Sequence, residues 1–253
     1  AVWKDNLMIS ELMYHPALAS APEIAAGFND SDFEFIELQN ISASSTLDLT
    51  ELRFTKGVDF DFVNGTITSL APGEFVLVVR NLAAFELRYS AALPVAGIYA
   101  PSKFSNTGEQ VKLSFGAGSA IHDFTYDDRY PWPTAPDGLG YALKLINPAS
   151  APNHSLAASW TGSSTFGGTP GAEELAAFEI WQAANFTAAE LLNLTVSGPQ
   201  ADPDHDGYPN IVEFGAGVDP KVGGDVPDIE AAYAPSGLEA QGLILTRPRG
   251  NSG

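Results

Sequence analysis

The chain has 253 residues, and its 31 Asp and Glu against 12 Lys and Arg give a formal net charge of -19. Because the few basic residues form no cluster, this charge excludes nucleic acid as a partner. Hydrophobic residues make up 45% of the chain, enough for a sizeable core, and the lack of cysteine excludes disulfides, a thiol nucleophile and cysteine-ligated zinc. No apolar run approaches the roughly 18 residues that a membrane-spanning helix needs.

Short strands separated by turns are predicted for residues 5–148. Turn dipeptides such as Asn64-Gly65 and Pro72-Gly73 interrupt this part, and only residues 81–89 show helical periodicity. The pattern favours a mostly β fold, an antiparallel sandwich or barrel. The apolar or alternating runs of strand length lie at residues 7–14, 33–40, 75–80, 111–115, 121–126 and 141–146.

The pattern changes after residue 148. Residues 149–171 are rich in Ser, Thr, Gly and Pro and are predicted to be irregular. Leu175, Phe178 and Trp181 share one helical face, and the capping box formed by Thr187 and Glu190 begins a second short helix. An apolar run near the end predicts one strand of a sheet that this chain does not complete, so we expect a piece of a longer protein. The expected divisions are a β-sandwich at residues 1–171, a helical segment at 172–222, and a linker with an incomplete β segment at 223–253.

The clearest chemical motif is the acidic stretch at residues 202–213, which matches the calcium loop D-x-D-x-D-G-x5-E. Acidic side chains on alternate residues of a tight turn converge on one point, and Ca²⁺ requires several oxygen ligands. Gly207 supplies the sharp turn. We therefore predict a Ca²⁺ site with three aspartate carboxylates, a backbone carbonyl, an amide side chain and a bidentate glutamate as ligands: Asp202, Asp204, Asp206, Tyr208, Asn210 and Glu213.

Prolines indicate that this loop works without a partner loop. Pro209 takes the position at which paired EF-hands use a backbone N–H to join the second loop, and proline has no N–H. Gly198 and Pro199 precede the loop, so residues 195–201 are not expected to form a regular helix. The ion is expected to be structural. The loop is similar to the single calcium loops of dockerins and thrombospondin type 3 repeats.

The order of several short motifs resembles that of the lamin-tail domain. The chain opens with Leu-Met-Ile-Ser-Glu-Leu-Met-Tyr-His-Pro at residues 7–16 and continues with Phe-Glu-Phe-Ile-Glu-Leu-Gln-Asn at residues 33–40. Later motifs agree in order and lie at residues 47–49, 72–78, 104–109, 137–143 and 169–171. The resemblance covers residues 5–171 and implies an immunoglobulin-like antiparallel β-sandwich.

A second resemblance concerns the region around the acidic loop. Residues 178–220 are similar to C-terminal regions of large secreted multidomain proteins of Verrucomicrobia and Planctomycetes. The two resemblances together imply a module outside the cell or at the cell surface. Its expected partners are the neighbouring domains of a longer chain and a protein or glycan ligand. Filament assembly is not implied, because the chain has no heptad repeats.

No catalytic constellation stands out in the sequence, so we expect a non-catalytic structural or binding module with a calcium loop. One alternative is a carbohydrate-binding module appended to a secreted enzyme, with aromatic rings for stacking at Tyr130, Trp132 and Tyr141. The other is a hydrolase that uses a pair of carboxylates. The histidines are assigned to a turn, a strand, the irregular stretch and a non-ligand loop position: His15, His122, His154 and His205.

Overall fold

The computed structural model describes residues 2–173 and 177–224, and the chain divides into two compact units, residues 1–174 and 175–253. The division falls close to the predicted boundary after residue 171. The predicted linker and incomplete β segment lie outside the described residues from residue 225 onward.

The first unit is mostly β, and six of its strands overlap the six predicted runs. Its strands are β1 Leu7–Met13, β2 Phe35–Asn40, β3 Leu47–Asp48, β4 Leu52–Lys56, β5 Phe60–Asp61, β6 Ser69–Leu70, β7 Phe75–Val79, β8 Val95–Ile98, β9 Gln110–Phe115, β10 Ser119–Thr125, β11 Leu143–Leu145 and β12 Trp160–Gly162. Its helices are α1 Val2–Asn6, α2 Ala21–Ala25 and α3 Leu82–Arg88. The helix α3 confirms the periodicity predicted at residues 81–89.

The strands form a six-stranded sheet in the order β12-β11-β1-β2-β7-β8, a four-stranded sheet in the order β10-β9-β4-β5, and a β3-β6 pair. The prediction of purely antiparallel pairing is wrong at one place, because β7 and β8 are parallel. Parallel neighbours need a crossover connection, and α3 provides it between these two strands. All other strand pairs in the described residues are antiparallel.

The central strands β1 and β2 of the six-stranded sheet are buried on both faces. Side chains alternate along β2, so that Ile36 and Leu38 join one apolar cluster while Phe35 joins another. The first cluster also contains Phe54 of β4 and Leu113 of β9, so both large sheets contribute to one core. The second cluster lies under α3.

A charged cluster is buried within the six-stranded sheet. Glu11 of β1 pairs across the strands with Lys144 of β11 and with Glu37 of β2. The Nζ atom of Lys144 lies 2.9 Å from Oε2 of Glu11 and 3.9 Å from Oε1 of Glu37. Both glutamates are 0% exposed. Their four carboxylate oxygens accept hydrogen bonds from Ser10, Lys144, Thr169 and Gly171.

The second unit contains short helices around a few aromatic rings. The helices are α4 Ala177–Asn185, α5 Ala188–Leu191, α6 Leu194–Ser197 and α7 Asn210–Ala216. The ring of Phe214 lies 5.5 Å from that of Phe178 and 6.0 Å from that of Trp181. The predicted capping box begins α5, where Thr187 and Glu190 each bond to the other's backbone N–H. Leu175 of the predicted helical face lies outside the described residues. None of the described helices could span a membrane.

Candidate metal site

Three aspartate carboxylates of the predicted calcium loop converge in the second unit. Asp202, Asp204 and Asp206 each place one carboxylate oxygen within 4.8 Å of the other two. His205 at φ 62° and Gly207 at φ 95° have left-handed backbone conformations, which turn the chain tightly between and after these aspartates. The loop thus brings three of its predicted ligands together, whereas Glu213 is not among the residues that converge within this distance.

Backbone N–H groups of the loop orient each aspartate. Oδ1 of Asp204 accepts a hydrogen bond from the N–H of Asp206 at 3.2 Å, and Oδ2 of Asp202 accepts one from Gly207 at 3.0 Å. Oδ1 of Asp206 accepts one from Tyr208 at 2.9 Å. These charge-assisted bonds hold the carboxylates close together despite their mutual repulsion. They leave the second oxygens of Asp202 and Asp204 for another partner.

Buried oxygens without a hydrogen-bond partner are concentrated in this loop. Nine buried side-chain N or O atoms lack a partner in the described residues, and five of them belong to residues 202–213. A buried charged oxygen without a partner is strongly unfavourable, so each such atom requires a partner such as a water molecule or an ion. The five atoms are Oδ1 of Asp202, Oδ2 of Asp204, Oδ1 of Asn210, and Oε1 and Oε2 of Glu213.

Glu213, the fourth carboxylate of the predicted ligand set, is buried. It lies on α7, its side chain is 0% exposed, and both of its carboxylate oxygens lack a partner. Burial raises the pKa of Glu213 to about 7, and the negative charges of the three aspartates act in the same direction. A cation at this place would favour the ionised carboxylate and reverse that shift.

Asn210 has a structural role besides the predicted contact with the ion. Its Nδ2 atom donates to the carbonyl oxygens of Val196 at 2.9 Å and Gly198 at 2.8 Å. It therefore holds the segment before the loop against the start of α7, while Oδ1 has no hydrogen-bond partner. Tyr208 bonds to Asp206 through its N–H and keeps a side chain that is 36% exposed.

The segment that enters the loop differs from the prediction. Residues 195–201 were expected to contain no regular helix, but α6 forms one helical turn from Leu194 to Ser197. The side chain of Asn193 accepts a hydrogen bond from the N–H of Thr195 and caps this turn. The helix ends before Gly198 and Pro199, so these residues mark its end but do not prevent the turn.

Residues 218–224, here named the return segment, come back from α7 to the acidic loop. Gly217 at φ 72° ends α7, and the N–H of Val218 donates to the carbonyl of Glu213 at 3.1 Å. The N–H of Gly224 then donates to Oδ2 of Asp206 at 2.9 Å. The sequence did not predict this contact, because a backbone N–H that bonds 18 positions away leaves no residue pattern.

The three aromatic residues predicted as a stacking surface have different surroundings. Tyr130 is 92% exposed, whereas Trp132 is half-buried and packs on the core with its ring 6.3 Å from that of Trp160. Tyr141 is half-buried and meets Phe166 edge-on at 6.0 Å. No ring contact joins the predicted three in the described part of the chain. Phe166, which is 66% exposed, was not predicted.

The histidines of the first unit make structural contacts. His154 is 4% exposed, and its Nε2 atom accepts a hydrogen bond from the N–H of Ile9 at 3.2 Å. Its ring lies 4.0 Å from that of His122, whose Nε2 is 2.6 Å from the carbonyl of Leu7. Both histidine rings therefore lie against backbone atoms of β1. His154 lies in the irregular stretch, as predicted, but it is buried and hydrogen-bonded.

No protein-family model matches this chain, and a search of curated proteins finds no significant match. The resemblances to lamin-tail domains and to single calcium loops therefore rest on the motifs alone. The site itself is defined by its atoms, which are the converging carboxylate oxygens of three aspartates and the unpaired buried oxygens of Asn210 and Glu213. Hard cations such as Ca²⁺ and Mg²⁺ prefer such oxygen-only sites.

Proposed function

We propose that this chain is a non-catalytic extracellular structural module whose residues 202–213 bind one structural Ca²⁺ ion. The observation that carries the proposal is the group of five buried oxygens without hydrogen-bond partners in that loop. Asp202, Asp204, Asp206 and Glu213 would hold the ion, with the side chain of Asn210 and the carbonyl of Tyr208 completing the set. The bound ion would supply positive charge and geometry and no reaction.

The donor set favours Ca²⁺ over other common ions. Zn²⁺ prefers nitrogen and sulfur ligands, and the described residues place neither histidine nor cysteine among the converging oxygens. Mg²⁺ keeps several waters and requires a near-ideal octahedron, which does not suit a site formed largely by protein carboxylates. A glutamate with both oxygens unpaired matches the bidentate ligand that ends a calcium loop.

The structural role follows from where the loop lies. Asn210 links the loop to residues 196 and 198, and Gly224 links it to the return segment, so the loop joins the chain that enters it to the chain that follows α7. Without an ion, the negative charges of the loop carboxylates repel one another and oppose the tight turn that brings them together. Calcium outside cells is abundant enough to fill a loop of modest affinity, on the order of 10⁻⁴ to 10⁻³ M in extracellular modules.

The first unit is proposed to be an immunoglobulin-like sandwich of the lamin-tail type that serves as a scaffold. The support is that two sheets of six and four strands share one core cluster. His154 and His122 also contact the backbone of β1. These contacts give both histidines a structural role, which supports the proposal that the first unit is a scaffold.

Calorimetric titration of the metal-free protein tests the calcium proposal. We expect heat that saturates near one Ca²⁺ ion per chain, and much weaker binding of Mg²⁺. Glu213→Gln should abolish the heat, whereas Glu86→Gln, the same change at an exposed glutamate of α3, should leave it unchanged. Titration of the wild-type protein without heat would overturn the proposal.

A further inference from the structure

We propose that Ca²⁺ also controls the return segment: the bound ion keeps residues 218–224 closed against the acidic loop, and its loss releases them. This inference rests on the proposed calcium site and extends it beyond residues 202–213. It identifies the return segment as the part of the chain that responds to calcium.

One side chain connects the proposed ion with the return segment. Asp206 is one of the three aspartates that converge, and its two oxygens also accept the N–H groups of Tyr208 and Gly224. The return segment packs closely there, since a methyl group added to Gly223 would lie 3.4 Å from Cβ of Asp206. The position of Asp206 therefore decides whether the Gly224 bond can form.

A second contact holds the return segment at its middle. Nζ of Lys221 lies 2.9 Å from Oε2 of Glu190 and 5.0 Å from the ring centre of Phe186. The N–H of Lys221 donates to Oδ1 of Asp219 at 2.9 Å, which fixes the local turn. This contact is exposed and therefore weak on its own. The closed segment consequently depends on its bond to Asp206.

The physical link is the repulsion among the loop carboxylates. With the ion bound, Asp206 is held by attraction to the cation and keeps the oxygen that Gly224 requires. Without the ion, Asp206 faces two other aspartates and a buried glutamate, and any movement that separates these charges breaks the Gly224 bond. Because linkage is reciprocal, a closed return segment also strengthens calcium binding.

Trypsin provides a direct test, because Lys221 is the only lysine or arginine between Lys144 and Arg247. We expect cleavage after Lys221, identified by fragment mass, to be at least about tenfold slower in saturating calcium than in EGTA, because cleavage requires the local opening that the ion suppresses. An unstructured peptide spanning residues 215–228 serves as the control for any effect of calcium on trypsin itself.

Calorimetry and the cleavage assay together distinguish a failure of this inference from a failure of the proposed calcium site. If calorimetry shows calcium binding but the cleavage rate does not change, the control of the return segment is wrong and the site stands. If calorimetry shows no binding, the site fails and the inference fails with it.

A matched pair of variants tests the Asp206 contact. Gly224→Pro removes the N–H that Asp206 accepts and cannot adopt the φ of 86°, so it should bind calcium more weakly and lose the calcium-dependent protection of Lys221. Gly223→Ala keeps that N–H and should keep the protection. Full protection in Gly224→Pro would overturn the proposed link.

Discussion

Two groups of acidic side chains, one in the six-stranded sheet and one in the loop of the second unit, differ in how their buried carboxylate oxygens are paired. In the six-stranded sheet, Glu11 and Glu37 flank Lys144, and all four of their oxygens accept hydrogen bonds from the chain itself. In the loop of the second unit, Glu213 is equally buried, but neither of its oxygens has a partner. The carboxylates of the first group are fully hydrogen-bonded within the chain, and the carboxylate of Glu213 is not.

The comparison shows why acidic clusters have to be judged by their partners. Burial and a neighbouring carboxylate raise the pKa of Glu37, and Lys144 opposes that shift. Burial also raises the pKa of Glu213, where every neighbouring charge that contributes is negative. The chain supplies a lysine in the first place and none in the second, and this difference is what the proposed calcium ion would compensate.

The largest expected effect lies in the cluster of the six-stranded sheet. Lys144→Met leaves Glu11 and Glu37 buried without their cation, and we expect it to lower the free energy of unfolding by about 3–5 kcal/mol, measured by urea denaturation at pH 7. Lys56→Met removes an exposed lysine of β4 and should change stability by less than about 0.5 kcal/mol. Similar stability of the two variants would mean that the buried lysine is not needed.

The acidic loop of the second unit should respond in the opposite way when a charged side chain is replaced by a neutral one. Glu213→Gln removes an unpaired buried charge, so without calcium the variant should be at least as stable as the wild-type protein. With calcium at a hundredfold excess over its dissociation constant, the wild-type protein should gain about 2.7 kcal/mol and the variant nothing. Thermal melts with EGTA and with calcium measure both values. A variant that is less stable in EGTA would contradict the missing-cation account.

A smaller effect is expected at Trp132. Because its ring packs on the core beside Trp160, Trp132→Ala should lower stability by about 2 kcal/mol, less than for a fully buried tryptophan. Tyr130→Ala should leave stability unchanged, since Tyr130 is 92% exposed. Glycan-array binding that disappears with Tyr130→Ala would support the carbohydrate-binding alternative, and an unchanged melting temperature in Trp132→Ala would contradict the packing role.

The smallest effect concerns acid stability of the first unit. Burial lowers the pKa of His154 to about 3, so the unfolded chain binds a proton near pH 6.5 that the folded protein does not accept. Stability should therefore fall as pH drops through 6.5, by about 1.4 kcal/mol one unit below that value. His154→Gln, which retains an acceptor for Ile9, should reduce this slope, and His205→Gln should not. Identical slopes would exclude His154 as the cause.

Sequence patterns predicted well what depends on local spacing. The alternation at residues 33–40 gave β2, the capping box at Thr187 gave the start of α5, and the acidic motif brought three aspartates together. Each of these features arises within about a dozen residues, where periodicity and turn chemistry act directly.

Features that depend on distant parts of the chain were not predictable in this way. The pairing of Glu11 with Lys144 joins residues 133 positions apart, and the parallel β8 depends on how α3 returns to the sheet. Gly224 reaches Asp206 through a backbone N–H, which any residue except proline offers. The sequence groups Trp132 with Tyr130 and Tyr141 as possible stacking rings, whereas its packing depends on Trp160, which is distant in the sequence.

The most direct test of the central claim is a crystal structure of the protein grown with calcium. We predict one ion bound by Oδ1 of Asp202, Oδ2 of Asp204, a carboxylate oxygen of Asp206 and both oxygens of Glu213, with anomalous scattering that identifies it as calcium. The account would be contradicted if, at saturating calcium, these oxygens were found bonded only to water and the carboxylate of Glu213 remained without an ion.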